Sequence, residues 1–437
     1  MTALYLYDDA RAREFEPFAL TRPLAEMMAG AALQRERWQT ALQMPLAGVI
    51  AAGHLAAFDE GASAPIVRGG IPAGSVIANA RFVPRLTGLP LPPASAAPNE
   101  QPDGTVDLWL SGGKAVAART PRELRADFFA DGRLTIDEIG RSGAETTMLA
   151  GWWLDDLWDF VRLLPEQLAD DLAFLARPGF AERLGGPKQF APAPDSAILI
   201  GENPVLIATD FASGGQVVVR GATIEPQVVF DTSAGPIFVG AGSHVHAFTR
   251  LVGPCYVGRN TQILGDRVAT CSIGDVCKVR GELSNTIILG HANKGHDGFV
   301  GHSYLGRWVN LGAGTITSNL KNTYGSVALW TPRGVRDTRM QFLGTFFGDH
   351  AKTGIGTRLT TGTVLGTGAN VFGSTMPPKV VPPFSWGGTP PHEVYALDKF
   401  LAVAERVMAR RQVTLTPGGR QQLEAAHRER WVVENLE

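Results

Sequence analysis

The sequence predicts an α/β domain over residues 1–190, a parallel β-helix over 191–385 and a helical tail over 386–437. A six-residue period in the middle part predicts the β-helix, because it matches neither the turn of an α-helix nor the two-residue alternation of a strand. On either side of this part the period is absent and helical spacing appears. A chain of 437 residues also exceeds what one hydrophobic core usually organises, so more than one domain is expected.

Strands and helices alternate in the first part of the chain. Three short runs have strand patterns, and the last two are typical of buried parallel strands; they are residues 3–9, 46–52 and 75–83. Residues 23–42 and 155–176 have the apolar spacing of helices. A Pro- and Ala-rich stretch, 91–104, predicts a surface loop. This alternation predicts a layered α/β domain.

The six-residue period appears as two ladders of mostly apolar residues. One consists of Val239, Val245, Leu251, Val257 and Ile263, and the other of Phe347, Thr353, Leu359, Leu365 and Val371. Such a period is expected where each coil stacks its inward side chains on those of the next coil. Residues 317–342 break the phase and predict a loop that projects from the binding face. Helical patterns at 392–411 and 417–436 predict two helices that cover the open end of the coil.

Composition excludes several classes of protein. The formal charge is −2, with 44% hydrophobic and 19% charged residues, which gives no basic surface for nucleic acid or for an anionic membrane. No apolar stretch reaches the roughly 20 residues that a membrane span needs, and the N-terminus has no signal-peptide pattern. The expected location is cytoplasmic. Cys255, Cys271 and Cys277 form no C-x-x-C pair and are predicted to be small buried hydrophobes.

Histidines are concentrated in the β-helix. Five of the nine lie between residues 244 and 302. His244 and His246 form an H-x-H pair that could ligate a metal, but solvent exposure or packing between subunits is the favoured interpretation, and no metal site is predicted. His296 lies in the part of the chain that is densest in Gly, Asn and His, residues 292–325.

That stretch resembles the acetyltransferase half of a bacterial bifunctional family, the N-acetylglucosamine-1-phosphate uridyltransferase/glucosamine-1-phosphate acetyltransferases. The family pattern appears as Gly295-His296, an aromatic at Phe299, and V-N-L-G-A-G-T-I-T-S-N at 309–319. The phrases N-K-x-H-D-G-F-x-G and N-L-G-A-G-T-x-x-S-N-L-K-N-x-Y are more similar still to a divergent branch of sugar nucleotidyltransferase-like proteins. The match is specific over about 280–372.

The resemblance implies a left-handed, hexapeptide-repeat β-helix that transfers an acetyl group from acetyl-CoA to an amino-sugar 1-phosphate. It implies that His296 is the base that removes the amine proton, that Glu282 orients its imidazole, and that Asn319 completes the catalytic set. Substrate-binding positions by the same resemblance are Asn310, Phe299 and Lys321. Positions where the last coils would hold acetyl-CoA are Gly348, Asp349, Gly366 and Thr367. Three-fold assembly, with acetyl-CoA between neighbouring subunits, is also implied.

The chain departs from the family pattern on the acceptor side. Phe299 stands where the family has tyrosine, which removes one hydroxyl contact to the sugar. Leu320 replaces a second aromatic, and Lys321 is out of register with a phosphate-binding lysine. These departures leave the acceptor open even if acyl transfer is right.

The first domain should, by the same resemblance, transfer a nucleotidyl group from a nucleoside triphosphate to a sugar 1-phosphate with Mg²⁺. The usual Gly-rich phosphate loop is replaced by residues 8–11, Asp-Asp-Ala-Arg. Arg22 follows Thr21 where a Pro-Lys would bind phosphate. It is either that cation, the partner of Asp8 or Asp9, or a solvated loop residue. Asn79 replaces the aspartate that would bind Mg²⁺, which weakens the site because hard cations prefer carboxylates.

Three hypotheses about function follow. The chain is a bifunctional sugar nucleotidyltransferase and N-acyltransferase of nucleotide-sugar synthesis, and this is what the resemblance implies first. Alternatively it is an acyltransferase alone, with a first domain that only binds nucleotide or sugar, which is the stronger argument on chemical grounds. The third hypothesis is a solenoid without catalysis that serves assembly or regulation.

Overall fold

The computed structural model describes residues 3–87, 107–140, 144–177, 190–208 and 221–432, and the backbone alone at 211–212 and 218–219. The predicted loop at 91–104 lies outside the described residues.

The first domain is built on a mixed six-stranded sheet. Its strands are β1 (Leu4–Tyr7), β2 (Met28–Ala29), β3 (Ala32–Leu33), β4 (Leu46–Ile50), β5 (Val76–Asn79), β6 (Phe82–Pro84), β7 (Leu108–Ser111), β8 (Lys114–Arg119), β9 (Thr146–Met148) and β10 (Gly151–Trp153), and its helices are α1 (Gln34–Leu42), α2 (Ile136–Ile139), α3 (Asp159–Arg162) and α4 (Leu164–Leu175). The strand order is β4-β1-β5-β8-β7-β9. Strand β1 runs parallel to β4 and β5, whereas β8 is antiparallel to β5 and β7. The predicted α/β class is confirmed.

Both helices predicted in this domain are shorter than expected. The pattern at 23–42 forms a helix only from Gln34, because the residues before it make a 3₁₀ turn and the tight hairpin β2–β3. Gly30 turns this hairpin at φ +61°, and a Cβ there would lie 2.1 Å from Asp171 Oδ2. The pattern at 155–176 is divided into α3 and α4, since Pro165 at the start of α4 has no N–H to continue the preceding helix.

The second domain is a parallel β-helix of many short strands. They are β11 (Phe190–Ala191), β12 (Ile198–Ile200), β13 (Val205–Ala208), β14 (Phe211–Ala212), β15 (Val218–Val219), β16 (Thr223–Ile224), β17 (Val229–Asp231), β18 (Ile237–Val239), β19 (His244–Val245), β20 (Thr249–Val252), β21 (Cys255–Val257), β22 (Gln262–Ile263), β23 (Asp266–Ala269), β24 (Ser272–Ile273), β25 (Lys278–Val279), β26 (Glu282–Ser284), β27 (Ile287–Ile288), β28 (Asn293–Lys294), β29 (Phe299–Gly301), β30 (Tyr304–Leu305), β31 (Asn310–Leu311), β32 (Ile316–Thr317), β33 (Ala328–Thr331), β34 (Gly334–Asp337), β35 (Thr345–Phe347), β36 (Lys352–Thr353), β37 (Arg358–Leu359), β38 (Thr363–Leu365), β39 (Asn370–Val371), β40 (Val380–Val381), β41 (Ser385–Trp386) and β42 (Glu393–Val394).

These strands stack into three faces. The first face is β11-β13-β18-β21-β24-β27-β30-β35-β38-β40, and the second is β16-β19-β22-β25-β28-β31-β36-β39-β41-β42. The third face is β12-β17-β20-β23-β26-β29, and the pair β32-β37 follows in the later coils. Each coil contributes one strand to each face, so residues one coil apart become neighbours in space.

Both six-residue ladders point into the coil, as predicted. Residues from Val239 to Ile263 in the first ladder are 0% exposed, and those from Phe347 to Val371 in the second are at most 5% exposed. The three cysteines are free and buried in the same interior. Burying an apolar side chain of this size contributes about 1.5–3 kcal/mol, which is why the period is maintained over so many coils.

The projecting loop at 317–342 is also confirmed, and it reaches the first domain. Its hairpin, β33–β34, places Arg336 against the Asp156 carboxylate and Arg333 Nε 2.6 Å from Glu14 Oε2. Leu329 of β33 is fully buried in the core that the first domain shares with the first face. The loop therefore joins the two domains.

The first face of the β-helix packs directly on the first domain. The Tyr304 hydroxyl accepts a hydrogen bond from the Met28 amide at 2.9 Å, and Ser272 Oγ donates to the Gly30 carbonyl at 2.6 Å. Phe346 and Val364, also on this face, belong to the same hydrophobic core as the sheet residue Leu6. The first face is thus an interdomain surface, and the second and third faces remain to carry a site.

Two helices follow the β-helix, as predicted: α5 (Leu397–Ala409) and α6 (Pro417–Arg428). Phe400 of α5 packs edge-on against Phe384 near the last coil, at 4.9 Å between ring centroids. Leu423 of α6 joins the same cluster together with Leu20 of the first domain. The tail therefore covers the end of the coil and also touches the first domain. No helix in the described ranges is long and apolar enough to cross a membrane.

Candidate functional site

His296 lies at the edge where the second face meets the third. It follows β28 on the second face and precedes β29 on the third, and its side chain is exposed. Glu282 pairs across the third face with Phe299, three residues after His296. The exposed Glu282 carboxylate lies 3.7 Å from Arg267 Nη1, and among the described residues no hydrogen bond joins it to His296. The structure thus places Glu282 on the coil that precedes Phe299, but it does not show Glu282 orienting the His296 imidazole.

Phe299 and Asn319 lie together over Gly301. A Cβ at Gly301 would be 2.5 Å from the Phe299 ring and 2.7 Å from Asn319 Nδ2, so a larger residue at this position would displace these two side chains. Asn319 Nδ2 donates a hydrogen bond to His302 Nδ1 at 2.9 Å. The His302 ring in turn stacks on Phe342 of the projecting loop at 5.3 Å. These two predicted site residues therefore lie on the same side of Gly301, and Asn319 binds a histidine that sequence reasoning did not select.

Asn310 belongs to a polar row along the second face. Its Oδ1 accepts a hydrogen bond from Asn293 Nδ2 at 2.9 Å, and the pairing of the coils continues the row in both directions. The row consists of Lys278, Asn293, Asn310, Lys352 and Asn370. Each of these residues comes just before an inward residue, so each side chain points outward.

This row forms one wall of a basic cleft with a volume of about 400 Å³. The cleft is lined by Lys278, Asn293, Asn310 and Lys352 from the β-helix, by His291 and Trp308, and by Val407, Arg410 and Arg411 at the end of α5. In the described part of the chain, no carboxylate forms an ion pair with any of its Lys or Arg side chains. Burial lowers the pKa of Lys352 to about 8, so this amine is still protonated at neutral pH. The cleft is suited to an anionic ligand.

Lys294 is a charged residue at an inward position of the coil. It is 1% exposed, and its Nζ donates to the Arg280 carbonyl at 2.9 Å and to the His296 carbonyl. Burial lowers its pKa to about 8. The ammonium group therefore ties the backbone of the His296 corner to the coil before it, and this explains a lysine in an otherwise apolar interior.

Lys321 begins the projecting loop, and its Nζ donates to the Ser326 carbonyl within that loop. It is half-buried and lies two residues after Asn319. Lys321 is thus close to Asn319 along the chain, and its amine is directed back into its own loop.

Arg22 and the residues predicted to hold acetyl-CoA lie at the interface between the domains. Arg22 is 2% exposed, and its Nε donates to Asp349 Oδ2 at 2.9 Å while its Nη2 donates to Glu60 Oε1 at 2.8 Å. Thr367 Oγ1 donates to the Pro17 carbonyl at 3.0 Å. For Arg22 these contacts differ from all three expectations, a phosphate-binding cation, a partner of Asp8 or Asp9, and a solvated loop residue. They also differ from the expectation of a cofactor wall, because segment 17–22 of the first domain covers this part of the coil.

Gly348 and Gly366 serve the stacking of the last coils. A Cβ at Gly348 would lie 2.5 Å from the Thr367 amide nitrogen, and one at Gly366 would lie 2.3 Å from the Pro383 nitrogen. Their small size is therefore required by the neighbouring coil. A role of their backbone in holding acetyl-CoA stays a prediction.

Glu60 completes the buried ion-pair cluster. Its Oε2 lies 3.1 Å from Arg307 Nη1 of the β-helix. Burial alone would raise its pKa, but the charges of Arg22 and Arg307 outweigh burial and lower the pKa to about 2. Glu60 is thus ionised at ordinary pH values, and the cluster joins the first domain to the coil.

The carboxyl ends of β1 and β5 form a second cluster in the first domain, where parallel sheets commonly bind ligands. Asn79 Nδ2 donates to Asp9 Oδ2 at 2.9 Å, and Arg81 Nη2 lies 2.7 Å from the same oxygen. Hydrogen bonds from Arg81 and Asn79 outweigh the effect of burial and lower the pKa of Asp9. Asp8 is buried, and burial raises its pKa to about 7.

This strand-end cluster tests the idea of Mg²⁺ binding. Asp9 already has an arginine and an amide as partners, and Asp8 Oδ2 accepts the Leu24 amide at 3.0 Å. Of the carboxylate oxygens of Asp8 and Asp9, only Asp8 Oδ1 is buried without a partner among the described residues. A hard divalent cation takes six or more oxygen ligands, and an arginine beside the carboxylate opposes it. The residues present therefore do not fit a resident Mg²⁺, although they do not prevent Mg²⁺ from arriving with a nucleotide.

Sequence reasoning missed His302, Lys352 and the α5 arginines. Lys352 could have been found by aligning successive coils, because it occupies the same place in its coil as Asn310 and Asn293 do in theirs. Arg410 and Arg411 had no such signal, since their position depends on how α5 packs across the coils. His302 lies at a corner with φ +48°, where no period marks it.

Three histidines near these features are neutral in the folded protein. Burial lowers the pKa of His350 to about 3 and those of His291 and His302 to about 4. In the unfolded chain a histidine titrates near 6.5. As the pH falls from 6.5 towards 4, the unfolded chain therefore binds more protons at these sites, and their contribution to stability, complete above pH 6.5, is lost.

We expect His350→Asn to reduce this acid sensitivity. Asparagine tolerates the φ of +60° at this position. Between pH 6.5 and 4 the unfolding free energy of the variant should depend on pH less steeply than that of the wild type, by up to about 1.4 kcal/mol per pH unit. Urea unfolding followed by circular dichroism at several pH values measures the slope. His296→Asn, at an exposed position, is the control, and equal slopes for wild type and His350→Asn would contradict the assignment.

Comparison with known proteins concerns the first domain. Residues 4–178 match the family model of sugar nucleotidyl transferases, and a search of curated proteins found no match. The matched residues include β1 and β5 with the strand-end cluster. The N-terminal region is therefore sugar nucleotidyltransferase-like, which indicates a transferase of nucleotide-sugar biosynthesis with a sugar phosphate and a nucleotide as partners.

Proposed function

We propose that the chain is a nucleotide-sugar biosynthesis enzyme whose β-helix transfers an acetyl group from acetyl-CoA to the amine of an amino-sugar 1-phosphate. The observation that carries the proposal is the basic cleft: Lys278, Lys352, Arg410 and Arg411 have no acidic partner among the described residues and lie beside Asn310. Acetyl-CoA and a sugar phosphate both bring phosphate groups, which such cations bind. Asn310 lines this cleft and also belongs to the motif that begins at Gly295 and His296.

The proposed step uses the exposed His296 as base. The sugar amine attacks the thioester carbonyl, and His296 accepts the proton that the amine loses. The C–S bond then breaks, and the CoA sulfur takes that proton from His296 and leaves as the thiol. Asn319 and backbone amides of the Gly-rich turns would stabilise the oxyanion that forms on the carbonyl. Phe299 gives the acceptor an apolar wall, and Lys294 holds the His296 corner in place.

A trimer belongs to the same proposal. His296 and Glu282 are exposed on the second and third faces, whereas the first face is covered by the first domain. A neighbouring copy could therefore complete the site over the exposed faces, with acetyl-CoA between the subunits and with Glu282 brought to the imidazole. A monomeric mass in solution would contradict this part of the proposal.

For the first domain we propose nucleotidyl transfer to a sugar 1-phosphate, with Mg²⁺ delivered by the nucleoside triphosphate. One observation favours a second candidate, an acyltransferase whose first domain binds nucleotide or sugar without turnover. An amide, Asn79, lies at the end of β5 in place of a carboxylate, and Arg81 forms an ion pair with Asp9. Both features leave fewer free carboxylates for a metal-bound triphosphate than a turnover site needs.

One experiment separates the candidates. The protein is incubated with acetyl-CoA and a panel of amino-sugar 1-phosphates, and then with UTP or TTP and Mg²⁺, while free thiol and pyrophosphate are followed separately. Release of both products supports the bifunctional enzyme. Thiol without pyrophosphate supports the single-activity acyltransferase. If neither is released, the proposal fails and a solenoid without catalysis is favoured.

A further inference from the structure

Three side chains converge on the second face near the start of the β-helix. His244 and His246 lie two residues apart on and just after β19, so both point to the same side of the strand. Their rings stack at 4.0 Å between centroids with an interplanar angle of 13°. Glu225 comes from the preceding coil, nineteen residues before His244. Sequence patterns alone showed the histidine pair but gave no third group.

One oxygen of Glu225 faces both imidazoles. Glu225 Oε1 lies 2.7 Å from His244 Nε2 and 3.2 Å from His246 Nδ1. The other oxygen, Oε2, accepts the Ala247 amide at 2.8 Å. This backbone hydrogen bond lowers the pKa of Glu225, and the histidines add to the effect. The carboxylate is therefore anchored through one oxygen and ionised, with the second oxygen directed at two nitrogen atoms.

This arrangement matches the donor set of a transition metal. The three candidate ligand atoms all lie within 4.8 Å of one another. In a tetrahedral site with bonds of about 2.0–2.1 Å, the ligand atoms are about 3.3 Å apart, so small side-chain rotations would bring these three around one ion. Anchoring of a ligand carboxylate by a second hydrogen bond is typical of such sites. Each side chain is about a third exposed, at 34%, 32% and 33%, so an ion can reach it.

We propose that Glu225, His244 and His246 bind one divalent transition-metal ion, with Zn²⁺ as the best-fitting probe and water in the fourth position. Two imidazoles and one carboxylate suit Zn²⁺ and its neighbours, whereas Mg²⁺ and Ca²⁺ prefer oxygen ligands alone. Because the ligands come from β19 and from the coil before it, the ion would join two coils near the start of the β-helix. It would therefore stabilise the folded chain in proportion to its occupancy.

The test uses the full chain, freed of metal by chelation and dialysis. Titration calorimetry with Zn²⁺ should give one ion per chain, and Co²⁺ should give the visible absorption of a nitrogen- and oxygen-ligated tetrahedral site. We expect His244→Ala and His246→Ala to weaken Zn²⁺ binding more than about 100-fold, beyond the range typical of outer partners. Glu225→Gln, which keeps the shape of the side chain, should also weaken it. Zn²⁺ should raise the thermal midpoint of the wild type but not of these variants.

His296→Ala is the matched control, because it removes another exposed histidine of the same β-helix and should retain stoichiometric Zn²⁺. Circular dichroism checks that each variant is folded, and Glu225→Gln remains informative if a histidine variant is not. Equal Zn²⁺ affinity in the wild type and in the folded variants would overturn the proposal, as would uptake by the wild type without a defined stoichiometry.

Discussion

Replacing His296 with alanine should lower kcat for acetyl transfer about 10²–10⁴-fold, the contribution expected of a general base. Within the described residues the His296 imidazole makes no hydrogen bond, and it is exposed at the corner between β28 and β29. Its removal should therefore leave the fold unchanged, as judged by circular dichroism and thermal unfolding. Thiol release from acetyl-CoA in the presence of the best amino-sugar 1-phosphate measures the effect.

His302 is the competing imidazole, and its environment argues against it. Asn319 donates to its Nδ1, but burial lowers its pKa to about 4, which makes it a weak proton acceptor at neutral pH. We expect His302→Asn to lower activity less than His296→Ala does. Its effect should arise indirectly, because His302 accepts the hydrogen bond that holds Asn319 in position. The opposite result, with His296→Ala fully active and His302→Asn inactive, would show that His302 is the general base.

The variant Lys352→Met tests the binding of acetyl-CoA separately from proton transfer by His296. Lys352 lies in the basic cleft, two strands along the second face from Asn293. If the cleft holds the phosphates of acetyl-CoA, the variant should show a raised KM for acetyl-CoA with kcat largely kept, since a phosphate contact distant from the thioester binds ground state and transition state alike. An unchanged KM would exclude the cleft as the donor site.

The interior of the β-helix was predictable from sequence because the period and the physical constraint coincide. Each sixth residue must stack on its neighbour in the next coil, so Leu359 and Leu365 are marked as inward by the pattern alone. The motif residues Phe299 and Asn319 were selected only through the family resemblance, because the period itself does not mark them. They lie one coil apart, and the structure places both side chains beside Gly301.

Contacts between the domains were not predictable, because no period links residues that are hundreds of positions apart. Arg22 and Asp349 are separated by 327 residues. A sequence shows that each is charged, but only the packing of the first domain on the coil shows that they neutralise each other. The same holds for Arg410, which the fold of α5 brings to the basic cleft. The sequence therefore predicted that Arg22 and Asp349 bind ligands, whereas the structure shows that they bind each other.

Replacing Arg22 with alanine should destabilise the protein by about 3–5 kcal/mol, the usual cost of removing one partner from a buried ion pair. The arginine is almost fully buried between Asp349 and Glu60, and its loss leaves two carboxylates in the interior with Arg307 as the remaining nearby cation. Urea unfolding at pH 7 measures the loss. Asp349→Asn should cost less, because the amide can still accept a hydrogen bond from the guanidinium.

The double variant Arg22→Met with Asp349→Leu decides between a structural and a ligand-binding arginine. If the two charges exist to neutralise each other, removing both should be less destabilising than the sum of the single changes, because no unpaired charge is left buried. A coupling free energy near zero between the two substitutions would contradict a stabilising Arg22–Asp349 ion pair. If Arg22 instead bound a nucleotide phosphate, Arg22→Ala would keep its stability and raise the KM for the nucleotide. Since the guanidinium already has two carboxylate partners inside the protein, we expect the loss of stability.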